Sequence, residues 1–507
     1  MRRYGDPTAK AAALLLLVLF CGAAAAQTLP NPVQKADQIL KNVDKAVEQA
    51  TKRAETAQER LGKTAEQVER AAKAQEQGNR AAEQGSRAAE QAARASEADH
   101  SDRAERADKA ERAQHDRRDR RDGDRRGRGR DRKGDRDDDP ATVRSLAEGQ
   151  AQRIANLVRA HPIELEMTRG GPAVRGQVVA MDFNAAALRS AKAAGFAIVS
   201  DEVVEGLDLR TVTLRVPHGM SVDSAIALLR RIAPRAELAA NHLHMQAGTV
   251  QAPRASVSAP IAQGHVAAPV LGIVDGGVAR HAAIAAPVEQ RGFAIGAPAP
   301  NDHGTAVASL AAGQGRLHAA FPGAPLLVAD IYGRDPAGGN AMALVRALGW
   351  MVSRHVRVVA VPVSGPSNPL VARAVSIARQ RGTFVVAPLG NGGPAAPPAY
   401  PASYPSVLAV TGVDRRDRII IEAGRGPRID YAAPGADIVA ANSAGGISGV
   451  RGTSFAVPLV AGRLSRAARA GGEPLAALDR EAVDLGLPGP DSIYGRGLVC
   501  ADCRPRR

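Results

Sequence analysis

The chain has 507 residues, 45% hydrophobic but only 3% aromatic, and a formal net charge of +15. It is too long for one ordinary domain, and its basic balance at first suggests an anionic partner. The charges argue otherwise: residues 101–139 carry 15 basic and 13 acidic side chains, and residues 251–507 carry 25 and 16, without dense clusters. No aromatics interleave with them for base stacking, so no nucleic-acid partner is expected.

Residues 1–26 read as an export signal. Arg2, Arg3 and Lys10 precede the apolar run AAALLLLVLFCG, and Ala24-Ala25-Ala26 ends the segment with small residues. The run is too short for a comfortable membrane span, so no stable span is expected, and the expected destination is periplasmic or extracellular. Phe20 before Cys21 is too bulky for a lipoprotein signal. Cleavage would leave Cys500 and Cys503, too few for a disulfide framework or a four-ligand zinc site. A small disulfide loop in the 500–507 tail stays open.

In residues 27–115 apolar side chains recur at steps of four and three, through Ala36, Leu40, Val43, Val47, Ala50, Ala54, Ala57 and Leu61. This is a heptad seam. It fits either a solvated Ala-rich helix or a coiled coil that makes a homo-oligomer through residues 36–92. Residues 116–139, rich in Arg, Asp and Gly, have almost nothing apolar to offset ordering entropy and are expected to be disordered.

From Pro140 the composition turns globular. A helical lead-in (Ala141–Arg159) precedes the pattern β-α-β-β-α-β, the order of a ferredoxin-like α+β domain over 140–250. His242 and His244 share one face of its last strand. They could be metal ligands, but without a nearby Cys or carboxylate cluster they read better as structural. A Pro/Ala-rich linker, 251–268, follows.

The segment 269–499 carries the chemistry. The apolar run Val270–Val274 reads as a buried parallel strand that delivers Asp275 at its C-terminal end, where open α/β sheets place their sites. NDHGTAVASLAAG sets His303 before a helical run. VVAPLGNGG runs from a strand into Asn391. RGTSFAVPLVAG puts Ser454 at the start of an apolar helix. Each alone has a plainer reading: a turn aspartate, a helix-start histidine, a capping serine. Together they supply acyl transfer. A serine needs an imidazole to activate it, the imidazole needs a carboxylate to fix its tautomer, and the tetrahedral intermediate needs donors for its oxyanion.

The order Asp, His, Ser is the subtilisin order. IVDGG, DHGTAVA, GNGGP and GTSFAVP, with successive site residues spaced 28, 88 and 63 positions apart, resemble the subtilisin-like serine protease (subtilase) family. AYPASYPSVLAVTGVD, AAPGADIVA and DLGLPGPDSIYGRGLV match it as well. The resemblance implies a subtilisin-like parallel sheet flanked by helices. It makes Asp275 the orienting carboxylate, His303 the base, Ser454 the nucleophile and Asn391 an oxyanion donor. Substrate would lie as a strand on Val363, Ser364 and Gly365, with Ala387, Pro388, Leu389 and Gly390 as one wall of the primary pocket. Pro362 and Ser364, Pro388 and Leu389, and Ala306 depart from the usual pattern; none touches the triad.

The chain runs from AAGQGRLHAAFPGA straight to the next strand without the family's longer calcium loop. The resemblance therefore implies no metal, and no cofactor is expected. The ferredoxin-like segment would be a propeptide whose tail from Leu243 enters the site, with processing somewhere within residues 247–268. The reading is an exported endopeptidase, made as a zymogen, acting on protein or peptide substrates and on its own propeptide. The alternatives are a protease-like module that binds without cutting, or a coiled-coil scaffold at the envelope.

Overall fold

The computed structural model describes residues 140–246, 248–250 and 265–504. The export signal, the heptad segment, the Arg/Asp/Gly stretch and most of the 251–268 linker lie outside the described residues.

Helix α1 (Pro140–Ala160) leads into a hairpin of β1 (Leu165–Thr168) and β2 (Gly171–Met181). Then come α2 (Ala185–Ala193), β3 (Ala197–Val204), β4 (Leu209–Arg215), α3 (Val222–Ile232) and β5 (Glu237–His242). The two later helices start where side-chain caps dictate: Asn184 accepts from the Ala187 N–H, and Ser221 from the Ser224 N–H. The strands order as β5-β2-β4-β3, all antiparallel, which is the ferredoxin-like arrangement expected. Val178, Ala180, Phe183, Leu214 and Leu229 fill the core beneath the helices. Strand β1 is an addition to the expected order. It forms because Gly171, with φ +127°, lets the chain turn back on itself, burying Leu165 and Thr168.

The second body is a parallel sheet. Its strands are β8 (Leu271–Asp275), β9 (Val288–Gly292), β10 (Leu326–Asp330), β11 (Val358–Ala360), β13 (Phe384–Pro388), β14 (Val407–Val413) and β15 (Tyr431–Pro434). They lie in the order β15-β14-β13-β11-β8-β10-β9, every adjacent pair parallel. Helices α4 (Asp302–Ala312) and α7 (Thr453–Ala470) cover one face, α5 (Ala341–Ser353) and α6 (Pro369–Gln380) the other; α8 (Pro474–Glu481) packs on α7. Both faces are covered, so the central strands read as unbroken apolar runs. Leu271 and Ile273 enter the α4/α7 core, and Val274 enters the α5/α6 core. The hairpin β16 (Ile438–Ala441) and β17 (Ile447–Arg451) feeds α7. Cys500 and Cys503 form a disulfide beside the buried guanidinium of Arg463. Among the described residues no helix is long and apolar enough to cross a membrane.

The two bodies are joined along the tail that leaves β5. Its segment β6 (Met245–Gln246) pairs antiparallel with β12 (Val363–Ser364), and β7 (Thr249–Val250) pairs antiparallel with β17.

Candidate active site

Three elements converge on one point. Strand β8 is buried throughout and ends at Asp275, whose side chain is fully enclosed. Helix α4 places His303 in its first turn, capped by Asn301, whose Oδ1 accepts from the Gly304 N–H at 2.7 Å. A Cβ on Gly304 would fall 2.3 Å from the Gly276 carbonyl oxygen. The missing side chain is therefore what lets α4 reach the end of β8. Helix α7 begins after Gly452, whose φ of +142° suits glycine, and it presents Ser454 as its second residue. Pro458 is tolerated inside α7 because its missing N–H frees only the Ser454 carbonyl, four residues earlier.

The side chains then connect. His303 Nδ1 donates to Asp275 Oδ2 at 2.7 Å, and His303 Nε2 lies 3.0 Å from Ser454 Oγ. A carboxylate can only accept, so the proton sits on Nδ1 and leaves Nε2 to accept from the serine hydroxyl. The other oxygen, Asp275 Oδ1, accepts from the Gly276 N–H at 2.7 Å. The His303 ring also rests against Phe455, with centroids 5.1 Å apart.

Asn391 lies just past β13. Its Oδ1 accepts from both the N–H and the hydroxyl of Thr453, each at 2.9 Å, which fixes the amide's orientation. Its Nδ2 is buried and has no partner among the described residues. A buried donor without an acceptor is costly, and here it belongs to the loop that abuts the start of α7. Thr453, the middle residue of the Gly-Thr-Ser signal, thus orients the amide; the motif contains it, but its partner is 62 residues away.

The segment expected to receive substrate pairs with the chain's own tail. Val363 pairs with Gln246 and Ser364 with Met245. Gly365 differs from expectation: its N–H and carbonyl are both taken by Tyr400. It touches the tail by close approach instead, since a Cβ there would stand 2.7 Å from the His244 ring. Pro362 has no N–H to donate, and the ladder with the tail starts after it. The proposed pocket wall divides. Ala387 and Leu389 are buried in the core that also holds Ala402 and Tyr404, and Pro388 is in register with Val410 in the sheet. Gly390, with φ +84°, stays close to Ser364 and accepts from the Thr453 hydroxyl.

Several participants carry no signal in the sequence. Gln246 Nε2 donates to Asp275 Oδ1 at 2.7 Å. A Cβ on Gly248 would stand 2.5 Å from Ser454 Oγ. Helix α1 lies across the mouth: Gln150 approaches Gly392, and a cavity of about 640 Å³ is lined by Gln150 and Ile154 together with Gln246, Ser364, Asn391 and Arg451. The buried Asp330 sits beside Asp275 across the β8–β10 ladder and accepts from the N–H groups of Ala299, Tyr332 and Gly333. Burial raises its pKa despite those donors, and the Asp275 charge adds to the rise.

The two histidines sit where β5 enters the cleft. His242 is held between Thr168 and Asn368. His244 is enclosed with neither ring nitrogen bonded among the described residues, while its main chain bonds Gly339 and Tyr332. Burial lowers the pKa of His242 to about 4 against a small opposing pull from Asp223. Burial, reinforced by His242, lowers that of His244 to about 3. Among the described residues no cysteine or carboxylate completes a ligand set around them. The group of possible metal ligands that does lie close enough together is Cys500, Asp502 and Cys503, and its two sulfurs are in the disulfide.

Residues 268–485 match the family model described as the Subtilase family. Subtilisin BL of Lederbergia lenta is 29% identical over 226 residues, covering 42% of this chain and 82% of that protein. The halolysin-like extracellular serine protease Nep of Natrialba magadii is 31% identical over 209 residues, covering 39% of this chain and 38% of its own length. The subtilisin-like protease 1 of Trichophyton rubrum is 32% identical over 156 residues, covering 29% of this chain and 31% of its own length. The chain thus spans about a third of the length of some of the curated relatives it matches. Among solved structures, fervidolysin of Fervidobacterium pennivorans, a keratinolytic enzyme related to subtilisin, superposes with a TM-score of 0.55 at 19% identity. That match covers 67% of this chain and 62% of fervidolysin and speaks for the fold. Residues 268–485, with their parallel sheet and ordered motifs, match the subtilase family.

Proposed function

We propose that the protein is an exported serine endopeptidase that hydrolyses peptide bonds through an acyl-enzyme. The carrying observation is the continuous hydrogen-bonded line Asp275–His303–Ser454, with the unpartnered Asn391 Nδ2 beside it. Ser454 Oγ attacks the carbonyl carbon as its proton passes to His303 Nε2, and Asp275 stabilises the resulting imidazolium. Asn391 Nδ2 and the Ser454 N–H at the start of α7 donate to the oxyanion. His303 returns the proton to the leaving amine, and water then resolves the ester by the same steps in reverse.

The ferredoxin-like body acts as a propeptide. The tail pairs on both sides of the site, at Met245–Gln246 and at Thr249–Val250, which supports a cut between the two pairings, before Gly248. Gly248 has φ +152° and no room for a Cβ, which supports the same assignment.

The test expresses the chain from Gln27 with and without Ser454→Ala. We expect fluorophosphonate labelling of the wild type and a new N-terminus at Gly248, both absent from the variant. Wild type that stays unlabelled after the propeptide is removed would favour a module that binds without cutting.

A further inference from the structure

Asp275 has one oxygen committed to His303. The other accepts from the Gly276 N–H and from a donor that does not belong to the catalytic body: the carboxamide of Gln246, at 2.7 Å. That donor arrives with whatever occupies the cleft. The ladder to Val363 fixes Gln246 in register, and it is the second residue before the Ala247–Gly248 bond.

From this we infer that the cleft selects substrates carrying a carboxamide side chain, glutamine above all, two residues before the cleaved bond, with Asp275 as the recognising group. The inference rests on the endopeptidase reading above and names its substrate class.

The chemistry restricts the choice. A carboxylate accepts only, so Glu at this position would bring two negative charges together without a proton between them. Methionine matches glutamine in length but offers no donor, and leaves a lone pair of the enclosed Asp275 unsatisfied. Asparagine is one carbon too short to reach from the same backbone register. A lysine could reach, but its charge would neutralise the carboxylate that His303 needs when it becomes imidazolium. The neutral amide is the donor that satisfies Oδ1 and leaves the carboxylate its charge.

The bond to Asp275 exists before and during the reaction, so it is uniform binding and belongs in KM rather than kcat. The experiment uses processed enzyme and internally quenched peptides spanning LHMQAGTV, with the glutamine kept or changed to Met, Asn or Glu. We expect KM to rise about tenfold for the Met and Asn peptides at nearly constant kcat, the worth of one hydrogen bond to a charged acceptor. The Glu peptide should be worse still.

Equal KM for the Gln and Met peptides would overturn the inference while leaving the endopeptidase reading intact. So would a loss confined to kcat, which would mean that the amide positions the scissile bond rather than binding the carboxylate. No cleavage of any peptide, together with no fluorophosphonate labelling, would instead strike the endopeptidase reading itself.

Discussion

Acid should loosen the uncut protein through two imidazoles. His242 and His244 are buried where β5 enters the cleft, with pKa values of about 4 and about 3 against an ordinary 6.5. The unfolded chain therefore binds more protons than the folded one. Their contribution to stability is fully present above pH 6.5 and is lost as pH falls toward those folded values. At about pH 4.5 each imidazole is mostly protonated when unfolded and mostly neutral when folded. That difference is worth about 3 kcal/mol per residue, or about 5 kcal/mol for the pair. His244 is the sharper probe, because it is fully enclosed and its pKa is pushed further down. The assay is thermal unfolding of the Ser454→Ala chain, which cannot cut itself, at about pH 7.5 and about pH 4.5, with and without His244→Met. Carboxylates titrate alike in both proteins, so the variant should lose less on acidification by about 3 kcal/mol, roughly 4 °C in melting temperature for a folded body of this size. Equal acid losses in the two proteins would refute the reasoning.

Three further outcomes follow from the geometry. Asn391→Ala should lower kcat by about 10²–10³ with little change in KM, the loss expected when a donor to the developing oxyanion is removed; steady-state kinetics on one peptide decides this. Gly304→Ala should destabilise the fold by about 1–3 kcal/mol, because the added Cβ meets the Gly276 carbonyl at 2.3 Å; denaturant midpoints would measure it. A charge placed on the half-buried face of α1, as in Ile154→Glu, should weaken its seat over the cleft. The cleaved propeptide should then leave the enzyme faster, seen as a shorter lag before full activity on a small peptide.

Much of the site is legible in the amino-acid sequence because its chemistry sits in short, contiguous signals. An apolar strand ending in Asp275, a capped helix start at His303 and the Gly-Thr-Ser entry to α7 are local patterns, and backbone sterics and capping suffice to read them. The ferredoxin-like order is legible for the same reason: strand and helix periods alternate cleanly from residue 175 onward. Strand β1 is not, since four residues with mixed burial resemble the helix that precedes them. The pocket wall is ambiguous in the sequence because Ala387 and Leu389 are apolar whether they face a cleft or a core, and only the sheet register separates the two. The bonds that join distant segments lie beyond local pattern altogether. The Asn391–Thr453 pair, the tail laid between β12 and β17, the Gln246 amide on Asp275 and the burial of His244 all depend on which surfaces meet. A chain records the residues that can make such contacts; close packing decides which of them do, because burial turns an unpartnered polar atom into a cost that only the assembled fold can assign.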